Sequence, residues 1–307
     1  MIGLDVTPIC VGTSPLASMP DLYGYAVSEE RAIATIDAVL DSGAINFIDT
    51  SNGYGHDGSA ERRIGAALRR RGGLPPSVVL ATKVDPDPST GDFSGRRVLA
   101  SFAESLSRLG LSRIQLLHLH DPERISFEDA MVQGGPVDVM RQLAEEGVVG
   151  ALGVAGGPVD LLRRFVDTGY FDVVLTHNRW TLLDRSAEPL LAEATAAGLA
   201  VLNAAPYGGG ILAKGPEAIP LYCYRPAPPQ VLAAARAIEA ACARHGVLLA
   251  AAALQDSLRE PRITSTVVGW SRAERYDATL SLASHPVPDK LWDELADLVP
   301  APEHWQR

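Results

Sequence analysis

Phe47-Ile48-Asp49-Thr50-Ser51-Asn52-Gly53-Tyr54-Gly55 is the stretch around which the fold is read. The apolar run Ala44 to Ile48 is strand-like; it ends in a carboxylate and passes into a polar, glycine-containing loop that carries a tyrosine. The carboxyl end of a strand is where barrel and open-sheet α/β enzymes hold their reactive groups. A phenol with a pKa of about 10 exchanges protons poorly near neutrality, so a reactive Tyr54 calls for a nearby cation and for a partner that fixes that cation.

Working outward, apolar residues at helical spacing over Glu29 to Asp41 stop at Ser42-Gly43 before that strand. Helix and strand then alternate. Helices are predicted over Ser59 to Arg71, Arg96 to Leu109, Val137 to Glu146, Val159 to Thr168 and Ala187 to Ala197, with strands at Val78 to Val84, Ile114 to His120, Val149 to Ala155, Val173 to Asn178 and Leu199 to Ala205. After a long interruption come the helix Val231 to Arg244, the ambiguous apolar run Val247 to Leu254, the strand Thr264 to Gly269 and the helix Ala273 to Ala283. Eight strand candidates with intervening helices imply a parallel sheet with crossover helices. We therefore expect one (β/α)₈ TIM barrel over residues 1–307, with a short N-terminal hairpin in residues 1–13 and an extra C-terminal helix at Leu291 to Leu298. A doubly wound sheet ranks second, because no Gly-x-Gly-x-x-Gly follows an early strand and Gly208-Gly209-Gly210 comes late with the wrong spacing.

Composition limits the partners. A formal charge of -10, with Arg69-Arg70-Arg71 as the one basic cluster, argues against nucleic acid. Three cysteines without metal-type spacing argue against a disulfide framework or a zinc site, and the expectation is a cytoplasmic protein. No apolar run reaches the roughly 18 residues of a membrane span, and the N-terminus lacks the pattern of a signal peptide, so we expect no membrane partner and no processing. The oligomeric state is left open.

In the barrel reading Asp49, Lys83 and His120 fall at successive strand ends and Tyr54 on the first loop, so four complementary groups meet at one mouth. Each alone has an ordinary structural explanation: a turn aspartate, a snorkelling lysine, a core histidine. Together, Lys83 would favour the phenolate of Tyr54 and depress its pKa, Asp49 would hold the ammonium, and His120 would orient an oxygen. Such a set suits proton transfer at an oxygen coupled to hydride transfer at its carbon by a cofactor.

Asp49-Thr50-Ser51-Asn52-Gly53-Tyr54-Gly55, Ser59-Ala60-Glu61-Arg62-Arg63-Ile64-Gly65, Ala81-Thr82-Lys83 and Leu117-His118-Leu119-His120-Asp121-Pro122 resemble, in order and spacing, the aldo-keto reductases. The resemblance runs over nearly the whole chain. Trp180 to Asp184 and Asn203 to Leu212 look most like the aldose (threo-aldose, L-fucose or L-galactose) dehydrogenase and pyridoxal dehydrogenase group, which oxidises a sugar hemiacetal or a related cyclic hemiacetal. The resemblance implies a tetrad of Asp49, Tyr54, Lys83 and His120, with Tyr54 as the general acid in reduction and the base in oxidation, and it implies NADP or NAD as cofactor. It places the cofactor against His177, Asn178, Tyr207, Gly208, Gly210, Leu212, Gly269, Ser271, Arg272 and Arg275.

Against the family's pattern, His177 replaces a glutamine with Asn178 beside it, Ala204 replaces a stacking tyrosine, Trp270 replaces a lysine and Thr279 an asparagine. Arg272 and Arg275 remain as contacts for a 2′-phosphate, which tilts the expectation to NADP. The insertion Tyr207 to Pro229, the loop Asp85 to Gly95, the stretch Ser14 to Tyr25 and the tail Pro300 to Arg307 would wall a pocket for a small carbonyl or sugar substrate. Asn52, His118 and Asp121 are candidates to bond sugar hydroxyls, Trp180 and Tyr54 to give apolar faces, and Tyr222 a further wall. The expected function is thus interconversion of a carbonyl, or a cyclic hemiacetal and lactone, with NAD(P). A cofactor-binding regulatory protein on the same fold is the alternative, and a metal-dependent barrel enzyme using the His118-x-His120 pair ranks below it, since no metal site is expected.

Overall fold

The computed structural model describes residues 4–306. Eight parallel strands close into a barrel in sequence order: β1 Ile9–Gly12, β2 Phe47–Asp49, β3 Val79–Val84, β4 Ile114–His120, β5 Val149–Gly156, β6 Val173–His177, β7 Ala200–Ala204 and β8 Ile263–Gly269. β8 closes the ring on β1, with Val11 opposite Val268. The connecting helices are α1 Glu29–Ser42, α2 Ser59–Arg70, α3 Gly95–Leu109, α4 Pro136–Glu145, α5 Val159–Val166, α6 Glu188–Ala196, α7 Pro229–Arg244, α8 Leu249–Leu258 and α9 Arg275–Ala283, with α10 Asp289–Asp297 as the appended helix. The Ser28 and Ser94 hydroxyls accept from the Arg31 and Arg97 amides in the first turns of α1 and α3.

Two assignments are corrected. Ile9–Gly12 is the first barrel strand, buried along its length and paired in parallel with β2 and β8, and no hairpin forms there; the part of that expectation in residues 1–3 lies outside the described residues. The run Val247 to Leu254 is instead the start of α8, because Ala250 to Ala253 is strongly helix-favouring and carries none of the β-branched bulk that a strand would pack. The strand total is unchanged, but Asp49, Lys83 and His120 end strands two, three and four.

Alternation along the strands positions the site. Inward positions of the lower barrel hold Phe47, Val79, Ala81, Leu116, Val173 and Leu202, while Leu80, Val84, Leu117 and Leu119 face the helices. Two residues further along the inward rows come Asp49 after Phe47, Lys83 after Ala81 and His120 after His118, so the apolar plug gives way to ionisable groups toward the carboxyl ends, with His118 one step lower.

Candidate active site

Lys83 stands at the centre of the mouth. Its ammonium donates to both carboxylate oxygens of Asp49, at 2.8 and 2.7 Å, to the Thr50 carbonyl at 2.6 Å and to the Tyr54 hydroxyl at 3.2 Å. Lys83 and Asp49 are 1% and 2% exposed, so neither charge is tolerable without the other. Tyr54 lies edge-on to His120, ring centres 5.7 Å apart. The expected depression of the Tyr54 pKa is not what this arrangement produces. Burial, followed by the carboxylate of Asp49 and by Tyr23, Asp85 and Asp121, pushes the phenol well above its ordinary value. Burial comes first because the phenolate would lose its water there, and the Lys83 ammonium, engaged by both oxygens of Asp49, does not offset it.

His120 is held by Asp85, a residue outside the expected tetrad. Asp85 Oδ1 is 2.7 Å from His120 Nδ1, and Asp85 Oδ2 accepts from the Ser51 hydroxyl and, at 2.7 Å, from the Gly53 amide. Ser51 Oγ is also 3.1 Å from Nδ1. Gly53 is glycine because a Cβ there would fall 2.7 Å from the Asp85 carboxyl carbon. Burial alone would raise the Asp85 pKa, but the charge and hydrogen bond of His120, with those of Ser51 and Gly53, hold it at about 2. His120 moves the other way: burial lowers its pKa, and Asp85 and Asp121 more than offset that, so the net shift is upward. Strand periodicity was the available signal, since Lys83 and Asp85 are two residues apart and share a face.

From this cluster a cleft of about 1310 Å³ runs across the barrel mouth to Arg272 and Arg275. Its size exceeds the roughly 300–1,000 Å³ of common ligand pockets and leaves room for a dinucleotide beside a small substrate. His177, Asn178, Tyr207, Gly210, Gly269, Ser271, Arg272 and Arg275 line it, as do Ala204, Trp270 and Thr279. Three loops leave their strands through left-handed residues, Asp121, Asn178 and Ala205, a conformation that non-glycine residues adopt at a cost and that concentrates here at the mouth.

The residues fit a nicotinamide dinucleotide. The Asn178 side-chain oxygen is buried on the cleft wall without a hydrogen-bond partner among the described residues, as an acceptor awaiting an amide donor would be. His177, its Nδ1 3.1 Å from the Asn178 amide nitrogen, is held neutral by burial, with a pKa of about 4. At the other end Arg272 is largely exposed and 3.9 Å from Glu274, leaving its guanidinium free to fork onto a phosphate.

Several expected positions are corrected. Gly208 and Leu212 lie beneath the cleft wall, Leu212 in the core with Ile211. Asn52 borders the cleft, but its amide donates to the Ser101 carbonyl and Glu104 of α3 and its oxygen accepts from Arg97, so it anchors a loop. His118 is fully buried one inward step below His120, against Gly153, where an added Cβ would overlap its ring. Trp180 packs in the helix-side core between Arg185 and Arg262, 4.6 and 5.4 Å from its ring centre. Tyr222 donates to the Asn178 carbonyl at 2.8 Å and bonds Thr181 at 2.9 Å; the short ladder of Leu221–Tyr222 with Arg225–Pro226 turns it inward, and Tyr224 takes the cleft instead. The tail also misses the cleft, since Trp305 donates to the Pro300 carbonyl and the Gln306 amide to Asp184. The mouth is walled by Tyr23 and Tyr25, stacked at 5.9 Å, and by Tyr224, edge-on to Tyr23 at 5.7 Å. No cluster of three His, Cys, Asp or Glu side chains suited to a metal occurs among the described residues, and no single helix is long and apolar enough to cross a membrane.

A closed parallel barrel whose mouth couples a buried lysine–carboxylate pair to a tyrosine, beside a cleft of dinucleotide size, belongs to the class of barrel oxidoreductases. The chain belongs to the aldo/keto reductase family, whose model matches residues 8–300. It is 32% identical over 305 residues to D-threo-aldose 1-dehydrogenase of a Pseudomonas species, covering 90% of this chain and 91% of that one. It is also 32% identical to L-galactose dehydrogenase of Arabidopsis thaliana (91% and 85% covered) and 28% identical to pyridoxal 4-dehydrogenase of Microbacterium luteolum (95% and 94% covered). The fold is shared with an aldo-keto reductase from Bacillus halodurans solved in its holo form, at a TM-score of 0.77 over 99% of this chain and 95% of that one, with 20% identity. The protein is accordingly an NAD(P)-dependent oxidoreductase acting on CH–OH and C=O groups of small substrates.

Proposed function

We propose that the protein interconverts the hemiacetal hydroxyl of an aldose, or a related small cyclic hemiacetal, and the corresponding carbonyl, with Tyr54 as the acid and base. The observation that carries the reading is the Lys83 ammonium, which touches both the Asp49 carboxylate and the Tyr54 hydroxyl at the mouth. When bound, the nicotinamide nucleotide exchanges a hydride with the substrate carbon. Tyr54 rests as a phenol, and in reduction it gives its proton to the substrate oxygen as negative charge develops there. The phenolate then meets Lys83 directly, and in oxidation it takes the proton back from the hydroxyl. His120 presents a ring nitrogen to the same oxygen, and the tyrosine wall of the mouth supplies flat apolar faces of the kind that sugar C–H groups pack against.

The names of the relatives support an aldose over other carbonyl compounds. Asn178 is assigned to the nicotinamide amide, Ser271 to the phosphates, and Arg272 with Arg275 to a 2′-phosphate, which favours NADP. The test is Tyr54→Phe. Cofactor binding followed by fluorescence quenching should be retained, while turnover of aldoses followed at the nicotinamide absorbance should fall by at least about 10³-fold, as expected for loss of acid–base catalysis; near-normal turnover would reject the mechanism.

A further inference from the structure

The Asp85 carboxylate is ringed by donors. Ionised, it can only accept, and the Ser51 hydroxyl and Gly53 amide already occupy Oδ2. Oδ1 faces His120 Nδ1 at 2.7 Å, so the proton of that contact sits on the imidazole. The carboxylate is itself fixed at both ends: its backbone amide donates to Ser101 Oγ, and its carbonyl accepts from Arg97. Nε2 is the nitrogen left for the cleft, where Asp121 Oδ1 lies 3.6 Å away.

We propose that Asp85 is a positioning residue for the reaction, which by taking the Nδ1 proton of His120 in a fixed place leaves Nε2 as the atom that meets the substrate oxygen. This rests on the reading of His120 as a group at that oxygen. The one proton of a substrate hydroxyl goes to Tyr54 in oxidation, so the part left to Nε2 is that of a donor: once His120 gains a second proton, Nε2–H donates to the substrate oxygen. One carboxylate thereby sets both which nitrogen works and the pH below which it becomes a donor. The other charged and titratable groups facing the ring are His118 below it on β4, Asp121 and Glu123 on its own loop, Lys83 from β3, Tyr54 from the β2 loop, and His177 with Arg179 from the β6 side. Only Asp85 contacts Nδ1 with a charge.

The substitution Asp85→Asn separates the possibilities. The Gly53 amide and Ser51 hydroxyl hold an acceptor in the Oδ2 place, so the new amide nitrogen must face Nδ1 and make it the acceptor. The neutral ring then carries its proton on Nε2, as an Asp-to-Asn change does to the histidine of a serine-protease triad. The experiment is ¹⁵N NMR of the histidine rings across pH in the protein without ligand, with the His120 signal assigned from its loss in His120→Gln. For the wild type we expect the neutral Nδ1–H form and a titration above that of a free histidine; for Asp85→Asn, the Nε2–H form and a midpoint lower by about 1–2 units. Reduction of an aldehyde, whose kcat in the wild type should fall by about tenfold as pH rises through the His120 titration, should then lose that dependence with little change in KM, because the neutral ring of the variant already donates from Nε2. A neutral Nε2–H form in the wild type overturns the proposal, and that result needs no variant to fold. An unchanged ring in Asp85→Asn, or a flipped ring whose pH profile for reduction still follows the wild-type titration, overturns it as well. The ring measurements need no turnover, so failure of the assigned function leaves them readable.

Discussion

Neutralising Lys83 and Asp49 singly and together measures what the central pair contributes. At 2.7 Å and an effective dielectric of about 20, their attraction is about 6 kcal/mol, set against several kcal/mol for desolvating each ion. Lys83→Met leaves the Asp49 carboxylate almost wholly buried with no cation beside it, and Asp49→Asn leaves the ammonium with the Thr50 carbonyl and a neutral amide. Each single change should cost about 3–5 kcal/mol, the known range for stranding one buried charge. The double variant removes both charges, so its cost should stay within that same range and fall about 3 kcal/mol short of the sum of the singles. Urea unfolding by far-UV circular dichroism gives the four stabilities, with equal m-values as the sign that the unfolding reaction is the same. Additivity within about 0.5 kcal/mol would refute the reasoning, because it would mean that the two ions do not depend on each other.

His118→Leu should stabilise the protein by roughly 1 kcal/mol, since neither ring nitrogen has a hydrogen-bond partner among the described residues. Burial holds the folded pKa of His118 well below its ordinary value of about 6.5, so the unfolded chain alone takes up a proton there and stability falls as pH drops below about 6.5; the wild-type minus variant difference, followed by urea unfolding from pH 7.5 to 5.5, should therefore grow on the acid side. Arg272→Ala with Arg275→Ala should weaken NADP binding about tenfold or more while leaving NAD within about twofold, read by fluorescence titration; equal losses would remove the 2′-phosphate assignment.

Most of the fold was legible because each strand in a barrel sits between an apolar interior and a helix layer, and so reads as an apolar run bounded by turn residues. The two misreadings occur where that signal fails. Ile9–Gly12 is four residues long, too short to show a pattern, and is a strand only because β2 and β8 flank it. The run at α8 is apolar throughout, with Ala251 to Leu254 buried one after another, which makes helix and strand look alike until alanine content is weighed. At the site, Asp49, Lys83 and His120 were visible because a charge closing an apolar strand is conspicuous. Asp85 was not, because it opens the proline-containing stretch Asp85-Pro86-Asp87-Pro88 and reads as a turn residue. Trp180 and Tyr222 misled for a different reason: Trp180 follows a strand end and Tyr222 lies in the insertion, and the backbone reversals at Asn178 and at Cys223 and Tyr224, all left-handed, decide which way a side chain goes.

The two carboxylates at the mouth act in opposite senses on the groups they touch, and the proposed chemistry needs both. Burial and, after it, the charge of Asp49, which engages the Lys83 ammonium with both oxygens, keep the proton on the phenol of Tyr54. Asp85 engages the imidazole of His120 with one oxygen and uses the other to accept from Ser51 and Gly53, so a second proton on the imidazole is stabilised. A site in which tyrosine holds its proton and histidine readily gains one favours donors at the substrate oxygen below the histidine's raised pKa, and so favours reduction. Above that pKa Nε2 carries no proton and Tyr54 is still a phenol, so in the proposed oxidation the base must form beside the Lys83 ammonium, which lies 3.2 Å from the Tyr54 hydroxyl and whose charge stabilises the phenolate.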